Sequence, residues 1–345
     1  MDLSWSRIPL KLKTPFRTAT ALRDRKETIW VRLAHEEVEG WGEAAPVETY
    51  GQTLESAESA LSSMASLLRG NPMHIDRIIE DLLASHGDQR AAVAAVDAAL
   101  HDWVGKRFGI CVTSWLGLDP GRHPDTSFTI GIDEPDRLVE KVLAAEEYPI
   151  LKIKLGGDQD ERLLSTVRQH APEKTLRVDA NTAWSVDEAL GRLPMLAAFG
   201  VELLEQPIAA EDYEGLRRLK EANVCAIVAD ESCVVPADVV SLAGCVDGIN
   251  IKMSKCGGIR EAVRMIHLAR GMGMRVMLGC MIESGLGVAA AAQLAPLVDW
   301  LDLDSHLLLS TQPFIGLGGR GGRLTIGGGP GLGVGKAECL QEGVR

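Results

Sequence analysis

The sequence lacks a paired cysteine pattern, a long apolar run and an excess of basic residues. Its seven cysteines are scattered and form no CxxC pair, which excludes a disulfide framework and a zinc knuckle. No apolar run reaches the roughly 18 residues that a membrane helix needs. Residues 1–8 lack the charged start and apolar stretch of a signal peptide. We therefore predict a cytoplasmic protein with no membrane partner.

Charge and composition narrow the class of protein further. The chain has 36 lysines and arginines against 48 aspartates and glutamates, a formal net charge of −12. Because such a surface repels phosphate backbones, we predict no nucleic-acid partner. The 345 residues are 46% hydrophobic and 24% charged, which excludes a disordered chain, a fibrous repeat and a coiled coil. The length favours a globular protein of about two domains.

The N-terminal part of the chain predicts an α+β unit, with strands first and helices after them. The predicted strands are residues 4–12, 28–33 and 41–45, and the predicted helices are residues 54–68, 75–84 and 91–104. The third helix is rich in alanine and apolar at helical spacing, so we expect it to be buried.

From about residue 126 onward, short apolar strands alternate with helices. Eight strands are predicted, at residues 127–130, 151–155, 176–179, 203–205, 226–230, 248–251, 275–278 and 300–303. Ser185 and Glu188 should cap a helix over 186–199, and Gly271 should end one over 259–270. Polar residues end the strands at intervals of 22 to 26 residues between Lys154 and Lys252. This repeat predicts a β/α barrel whose active site lies at the C-terminal ends of its strands.

A glycine-rich segment near the C-terminus formally matches a dinucleotide-binding motif. Gly316, Gly318 and Gly321 have the G-x-G-x-x-G spacing. Such a site needs a strand before it and a helix after it, whereas a strand is predicted after it, over 323–326. The sequence therefore argues against a nucleotide site here.

Three acidic residues end consecutive predicted strands and predict a metal site. Asp179, Glu205 and Asp230 would converge at the barrel mouth, where bare carboxylates repel each other. A hard divalent cation relieves this repulsion, and all-oxygen ligands favour Mg²⁺ over zinc. The alternative is three unrelated helix caps or loop acids.

Lysines on the second and sixth predicted strands suit proton transfer. Lys152 and Lys154 lie two residues apart, so both point to one face, the barrel interior. Two neighbouring ammonium groups lower each other's pKa, which favours one of them as a neutral base. Lys252 ends the sixth strand, roughly opposite the second, so a proton could leave one face of a bound carbon and return to the other. The alternative is that Lys252 and Lys255 are surface lysines.

The eighth predicted strand carries a carboxylate pair. Asp302 and Asp304 lie two residues apart on one face, which suits a cationic ligand such as a substrate ammonium. Alternatively, one of them caps the turn that follows.

Five motifs in this order resemble the enolase superfamily, muconate-lactonizing subgroup: Lys152-x-Lys154, Asp179-Ala-Asn181, Glu205-Gln-Pro, Asp230-Glu-Ser and Asn250-Ile-Lys252. The resemblance covers essentially the whole chain. It implies an α/β protein, a (β/α)7β modified TIM barrel over residues 119–314. An N-terminal α+β capping domain would span residues 1–118, joined by a C-terminal segment from about 315 to 345. The Asp302/Asp304 pair and the segment 278–284 are similar to those of dipeptide epimerases, including the L-Ala-D/L-Glu type.

By that resemblance the protein is an isomerase that inverts the α-carbon of a dipeptide's C-terminal residue by 1,1-proton transfer through an enediolate. One Mg²⁺ per subunit would be held by Asp179, Glu205 and Asp230. Lys154 and Lys252 would be the catalytic pair, supported by Lys152, Asn181 and Lys255.

The resemblance also implies a set of substrate-binding residues. Asp302 and Asp304 would hold the dipeptide's α-ammonium. Loops of the capping domain, at about 17–25 and 46–53, would contact its side chain through Arg23 or Arg25 and through Tyr50. Met281, after the seventh strand, would line the same pocket. A homo-oligomer and a role in recycling of cell-wall peptides are expected.

Two other interpretations stay open. The first is a related enzyme: an N-acylamino acid racemase, an o-succinylbenzoate synthase or a muconate-type cycloisomerase, whose substrates lack the ammonium that Asp302 and Asp304 would neutralise. The second is a binding protein that only retains the barrel. Ser305 and His306 stand where the resemblance predicts a small residue and proline, and Glu283 has no assigned role.

Overall fold

The computed structural model describes residues 1–19 and 21–337. The N-terminal part is an antiparallel sheet, in the order β1-β2-β3, followed by helices. Its strands are β1 (Asp2–Arg17), β2 (Leu22–His35) and β3 (Val38–Ala44), and its helices are α1 (Leu54–Leu67), α2 (Ile75–His86), α3 (Arg90–Phe108) and α4 (Val112–Trp115). The three predicted strands and three predicted helices all form, with longer bounds for most of them.

Helix α3 lies at the centre of this part because its side chains are small. Every residue from Ala91 to Gly105 is buried, as the alanine-rich pattern predicts. Gly40 and Gly42 of β3 pack directly on the backbone of α3 at Ala99 and Ala95, where a Cβ would clash. On its other side α3 contacts the barrel next to residues 253–256. The helix therefore joins the sheet to the barrel without an intervening layer of large side chains.

Eight parallel strands follow in chain order and form the barrel. They are β4 (Phe128–Ile130), β5 (Ile150–Lys154), β6 (Thr175–Asp179), β7 (Val201–Glu205), β8 (Ala226–Ala229), β9 (Gly248–Ile251), β10 (Arg275–Gly279) and β11 (Trp300–Asp302). The Ser127 N–H donates to the Leu301 carbonyl at 3.0 Å and brings the first strand next to the last. Each of the eight predicted strands is present, and the predicted fold class is confirmed.

Helices cover the outside of the barrel. They are α5 (Pro135–Ala144), α6 (Asp160–His170), α7 (Val186–Ala198), α8 (Tyr213–Glu221), α9 (Pro236–Ser241), α10 (Met253–Cys256), α11 (Ile259–Gly271) and α12 (Gly285–Ala292). The predicted capping box of α7 is confirmed, since the Ser185 hydroxyl accepts from the Glu188 N–H and the Glu188 carboxylate accepts from the Ser185 N–H. None of the described helices is long and apolar enough to cross a membrane.

Two local predictions are wrong. Gly271 is the last residue of α11 rather than the residue after it, and Gly273 instead takes the left-handed conformation (φ 74°) that ends such helices. Residues 323–326 are not a strand, because only Leu324 pairs, through an isolated bridge to Gly318. The last glycine of the formal dinucleotide motif, Gly321, lies in a single 3₁₀ turn at Arg320–Gly322 rather than before an α-helix.

The C-terminal segment returns to the N-terminal part. Strands β12 (Phe314–Ile315) and β13 (Gly335–Lys336) pair with each other, and the Phe314 ring packs edge-on against Trp30 of β2 at 4.9 Å. The Leu332 N–H donates to Asp102 of α3. The predicted segment runs from about residue 315 to residue 345, and its last part, residues 338–345, lies outside the described residues. The boundary between residues 118 and 119 stays a prediction.

The alternation of side chains along the strands separates core from site. Leu203 and Val228 fill the barrel interior with Met277 and Trp300. Two residues later on the same faces stand Glu205 and Asp230. Along these strands the inward-facing side chains therefore change from apolar to acidic at the C-terminal ends, where the barrel opens.

Candidate active site

Three carboxylates converge at the barrel mouth. Asp179 ends β6, Glu205 ends β7 and Asp230 directly follows β8. Each offers one oxygen, and these oxygens all lie within 4.8 Å of one another. Their side chains are almost wholly buried, with exposures of 0%, 0% and 1%. The structure thus brings together the three residues predicted to bind metal.

The donor set fits a hard divalent cation. All three ligand atoms are carboxylate oxygens, which Mg²⁺ prefers and zinc does not. Burial and the neighbouring carboxylate of Asp179 raise the pKa of Glu205 to about 8. Negative charge at this point is therefore incompletely neutralised by the protein, and a bound cation would relieve it.

Two lysines flank the acids from opposite sides of the barrel. Lys154 Nζ on β5 lies 2.6 Å from Asp179 Oδ2, and Lys252 Nζ after β9 lies 2.6 Å from Asp230 Oδ2. Strands β5 and β9 are four apart in the order of eight, so the two amines face each other across the mouth. For Lys252 the carboxylates of Asp230 and Glu205 outweigh burial and raise its pKa well above the usual value.

Lys152 is the centre of a buried ionic network. Its Nζ lies 2.6 Å from Asp302, 2.7 Å from Glu205 and 3.2 Å from Asp179. Burial lowers the pKa of Lys152, but these three carboxylates raise it by more. The expectation that the two neighbouring ammonium groups lower each other's pKa is therefore wrong for Lys152, since three anions surround it at short range.

Lys255 and Asn181 both hold metal-site acids in place. Lys255 is completely buried and its Nζ donates to Asp230 Oδ1 at 2.5 Å. The alternative that Lys252 and Lys255 are surface lysines is wrong, because their amines pair with a buried carboxylate. The Asn181 N–H donates to Asp179 Oδ1 at 2.9 Å from a left-handed backbone (φ 44°). Their supporting roles stay predictions.

Asp302 and Asp304, the two aspartates at the end of the eighth barrel strand, differ in their surroundings. Asp302 ends β11 and pairs with Lys152, which lowers the pKa of this buried carboxyl to about 2. Asp304 lies past the strand and accepts the Thr129 N–H at 2.5 Å. Burial and the charge of Asp302 raise the pKa of Asp304 to about 7. Asp304 precedes a 3₁₀ turn, but its side chain makes no capping bond, so it is not there as a helix cap.

Capping residues and barrel residues line one cavity of about 210 Å³. Both predicted catalytic lysines, both aspartates of the eighth strand, Tyr50 and Met281 border it. Arg23 also borders it, whereas Arg25 does not and is 78% exposed. The structure therefore favours Arg23 of the two alternatives. Burial, with Asp230 nearby, raises the pKa of the Tyr50 phenol.

Comparison with known proteins places this arrangement in a family. Residues 5–117 match the N-terminal domain of the mandelate racemase/muconate lactonizing enzymes, and residues 135–338 match the enolase C-terminal domain-like family. The chain belongs to the mandelate racemase/muconate lactonizing enzyme family. This confirms the predicted enolase superfamily, and the epimerases named below, which are isomerases, confirm the predicted enzyme class.

Similar proteins in the family include several epimerases. The chain is 37% identical over 336 residues to the L-Ala-D/L-Glu epimerase of Bacteroides thetaiotaomicron, covering 97% of this chain and 88% of the relative. It is 37% identical over 309 residues to an L-Ala-D/L-amino acid epimerase of Maribacter sp., covering 90% and 91%. A dipeptide epimerase of Enterococcus faecalis V583, solved with Mg and L-Leu-L-Tyr, superposes with a TM-score of 0.92 at 32% identity, covering 96% and 98%.

Several polar residues of the site escaped the sequence analysis. Gln206 accepts the Asp230 and Ser232 N–H groups, and Asn250 donates to Glu205 Oε1 at 2.8 Å. Both residues stand inside motifs shared with the family, so the motifs could have identified them as site residues. Ser127 donates to Asp302 at 2.7 Å, and Lys26 borders the cavity. Neither of these two stands in such a motif.

The two residues without a predicted role lie behind the site. His306 Nε2 lies 2.8 Å from the Gly318 carbonyl, and burial lowers its pKa to about 4. It is therefore a neutral packing residue that anchors the C-terminal segment. Glu283 accepts from the Ser254 hydroxyl at 3.1 Å, and burial together with Glu43 raises its pKa to about 7.

Proposed function

We propose that the protein is a Mg²⁺-dependent dipeptide epimerase that inverts the α-carbon of the C-terminal residue, with L-Ala-D/L-Glu as its substrate. The observation that carries the proposal is the pair Lys154 and Lys252, which approach the three-acid cluster from opposite strands of the barrel. The names of the similar proteins support the dipeptide as substrate.

The metal would be held by Asp179, Glu205 and Asp230. When bound, Mg²⁺ supplies an electrostatic partner for the substrate's terminal carboxylate and for the second negative charge that develops on it. A proton α to a carboxylate is barely acidic, so this charge has to be stabilised before a lysine can remove the proton.

The chain's own groups perform the proton transfer. Lys154 and Lys252 reach the α-carbon from opposite faces, so that one removes the proton and the other returns one. Lys152 is held between Asp302, Glu205 and Asp179 and shares the Asp179 carboxylate with Lys154, so it helps to fix the position of this acid. Asp304 faces the cavity without a cation within ion-pair distance among the described residues. It is placed to accept the substrate's α-ammonium.

Deuterium exchange tests the proposal. The holoenzyme with Mg²⁺ in D₂O is incubated with a dipeptide library, with N-acylamino acids and with cycloisomerase substrates, and read by mass spectrometry. We expect one deuterium at the α-carbon of the C-terminal residue of dipeptides with a free amine. Exchange of N-acylamino acids alone would favour the racemase, and no exchange in any class would favour a binding protein.

Three finer statements complete the proposal. A cytoplasmic location fits the six described cysteines, which are all unpaired. A role in recycling cell-wall peptides fits a substrate that contains D-Glu. A homo-oligomer is proposed from the family and is tested by light scattering of the purified chain.

A further inference from the structure

The cavity has a cation at its capping-domain edge that no carboxylate neutralises. Lys26 of β2 borders the cavity and donates one N–H to the Pro46 carbonyl at 2.9 Å. Within residues 1–19 and 21–337, no carboxylate oxygen lies within 4 Å of Lys26 Nζ or of the Arg23 guanidinium. Both cations border the same cavity, so two positive side chains meet there without an ion pair.

Such a pair is unfavourable unless an anion binds it. Moving an ammonium group out of water costs free energy that a nearby opposite charge normally offsets. Lys26 is half-buried and shows this cost, because burial and the charge of Arg23 lower its pKa to about 8. Glu283, Glu43 and Glu48 act in the opposite direction but from beyond ion-pair distance.

The remaining charges of the cavity indicate which anion fits. Under the proposed function, the acid cluster with its metal takes the substrate's α-carboxylate. Asp304, next to the Lys152–Asp302 pair, takes the α-ammonium. Of the charged groups of L-Ala-L-Glu, only the side-chain carboxylate of the C-terminal residue is then left to reach β2 of the capping domain.

We propose that Lys26 binds the side-chain carboxylate of the dipeptide's C-terminal residue and makes the enzyme selective for acidic dipeptides, with Arg23 as a secondary contact. The inference rests on the proposed function, and it assigns the selectivity to a residue outside the family motifs. Arg23 is exposed, so solvent and salt screen its charge more than that of half-buried Lys26. Lys26 should therefore have the larger effect of the two.

The test compares L-Ala-L-Glu with L-Ala-L-Gln, which has nearly the same shape without the charge. The kcat/KM for both is measured with Mg²⁺ at constant ionic strength in the wild type and in Lys26→Met, Lys26→Arg and Arg23→Met. We expect Lys26→Met to lower the Glu/Gln ratio of kcat/KM by roughly 10- to 100-fold, mainly through KM, as expected for a lost charge-assisted contact. Lys26→Arg should restore part of the ratio, and Arg23→Met should lower it less.

A matched control comes from the adjacent strand. Lys11 of β1 is exposed and pairs with Arg25 in the sheet register, away from the cavity, so Lys11→Met should leave the ratio unchanged. An unchanged ratio in Lys26→Met, or equal losses for both substrates, would overturn the inference. If Lys26→Met fails to fold by circular dichroism, Lys26→Gln and Lys26→Arg decide between the same outcomes. A wild type that exchanges neutral dipeptides better than acidic ones refutes this inference and the acidic substrate but leaves the epimerase reaction intact, whereas one that exchanges no dipeptide refutes the epimerase itself.

Discussion

The barrel side and the capping side of the cavity differ in how their charges are balanced. On the barrel side, each lysine meets a carboxylate at 2.5 to 2.7 Å, as Lys154 does with Asp179 and Lys255 with Asp230. On the capping side, Arg23 and Lys26 have no such partner among the described residues. The barrel side is a buried network of ion pairs in which each group holds its neighbours in place. The capping side has two cations that are not in ion pairs.

This difference separates chemistry from selectivity. A group in a dense buried network cannot change without leaving another charge unpaired, which costs several kcal/mol (about 3–5 for a broken buried pair). A group at the capping edge can change with little effect on the rest. We therefore expect substitutions in the network to lower turnover of every substrate. Substitutions at the edge should change the ranking of substrates.

The largest expected effect follows from disturbing the three acidic residues that are proposed to hold the metal ion. Chelation of divalent ions should lower α-proton exchange by about three orders of magnitude or more, since several kcal/mol of transition-state stabilisation are lost. Mg²⁺ should restore exchange and also raise the melting temperature of the wild type. Glu205→Gln should lose both responses, as measured by exchange and by differential scanning fluorimetry. Full exchange in the chelated enzyme would contradict the proposed metal.

The second effect separates the two lysines. Lys154→Met and Lys252→Met should each lower epimerisation by roughly 10²- to 10⁴-fold, because each removes one acid/base group. Because the lysines approach from opposite faces, each variant should retain exchange from only one of the two epimers of the C-terminal residue. Mass spectrometry of both epimers in D₂O measures this. If either variant exchanged both epimers at the wild-type rate, the two-base mechanism would be wrong.

A third pair of variants distinguishes the roles of the two neighbouring acids on the barrel side, Asp302 and Asp304. Asp304→Asn should raise KM for dipeptides with a free amine by roughly 10-fold or more, because a charge-assisted contact is lost. The same change should affect N-acetylated dipeptides far less. Asp302→Asn should instead lower kcat for both, since it removes one of the three carboxylates that surround Lys152, the one at 2.6 Å. Steady-state kinetics on the two substrate classes distinguish the roles, and identical profiles for both variants would count against them.

Local patterns predicted the architecture because strands and their ends are local features. The strand over 248–251 matches β9 at both ends, since the charged residues Asp247 and Lys252 stand directly before and after it. The regular spacing of the acids followed from repeated β/α units, so their convergence at one mouth could be predicted without contacts.

Long-range pairings could not be predicted in the same way. Lys152 and Asp302 are 150 residues apart, and their ion pair depends on the closure of the barrel between β4 and β11. Likewise, nothing local distinguishes Lys26 from Arg25, because only the packing of β2 on the barrel turns one toward the cavity. Gly271 and Gly273 are both plausible helix ends, and tertiary packing decides between them.

The smallest expected effect is a dependence of substrate selectivity on pH, caused by the titration of Lys26 on the capping side. The pKa of Lys26 near 8 means that its charge is present below pH 8 and is lost as the pH rises through that value. The Glu/Gln ratio of kcat/KM should therefore fall by up to about tenfold between pH 7 and pH 9. The ratio cancels the titration of groups that act on both substrates.

Other charged groups face Lys26 and need their own control. Arg23 lies on its own strand, Glu43 on β3, Glu48 after it and Glu283 after β10. Glu283, with a pKa of about 7, gains charge in the same range and would favour protonated Lys26, which moves the midpoint upward. Glu283→Gln should shift the midpoint to lower pH. Lys26→Arg should flatten the profile, because a guanidinium stays charged throughout. A wild-type ratio that is flat from pH 7 to 9 would show that the capping edge selects by shape rather than by the charge of Lys26.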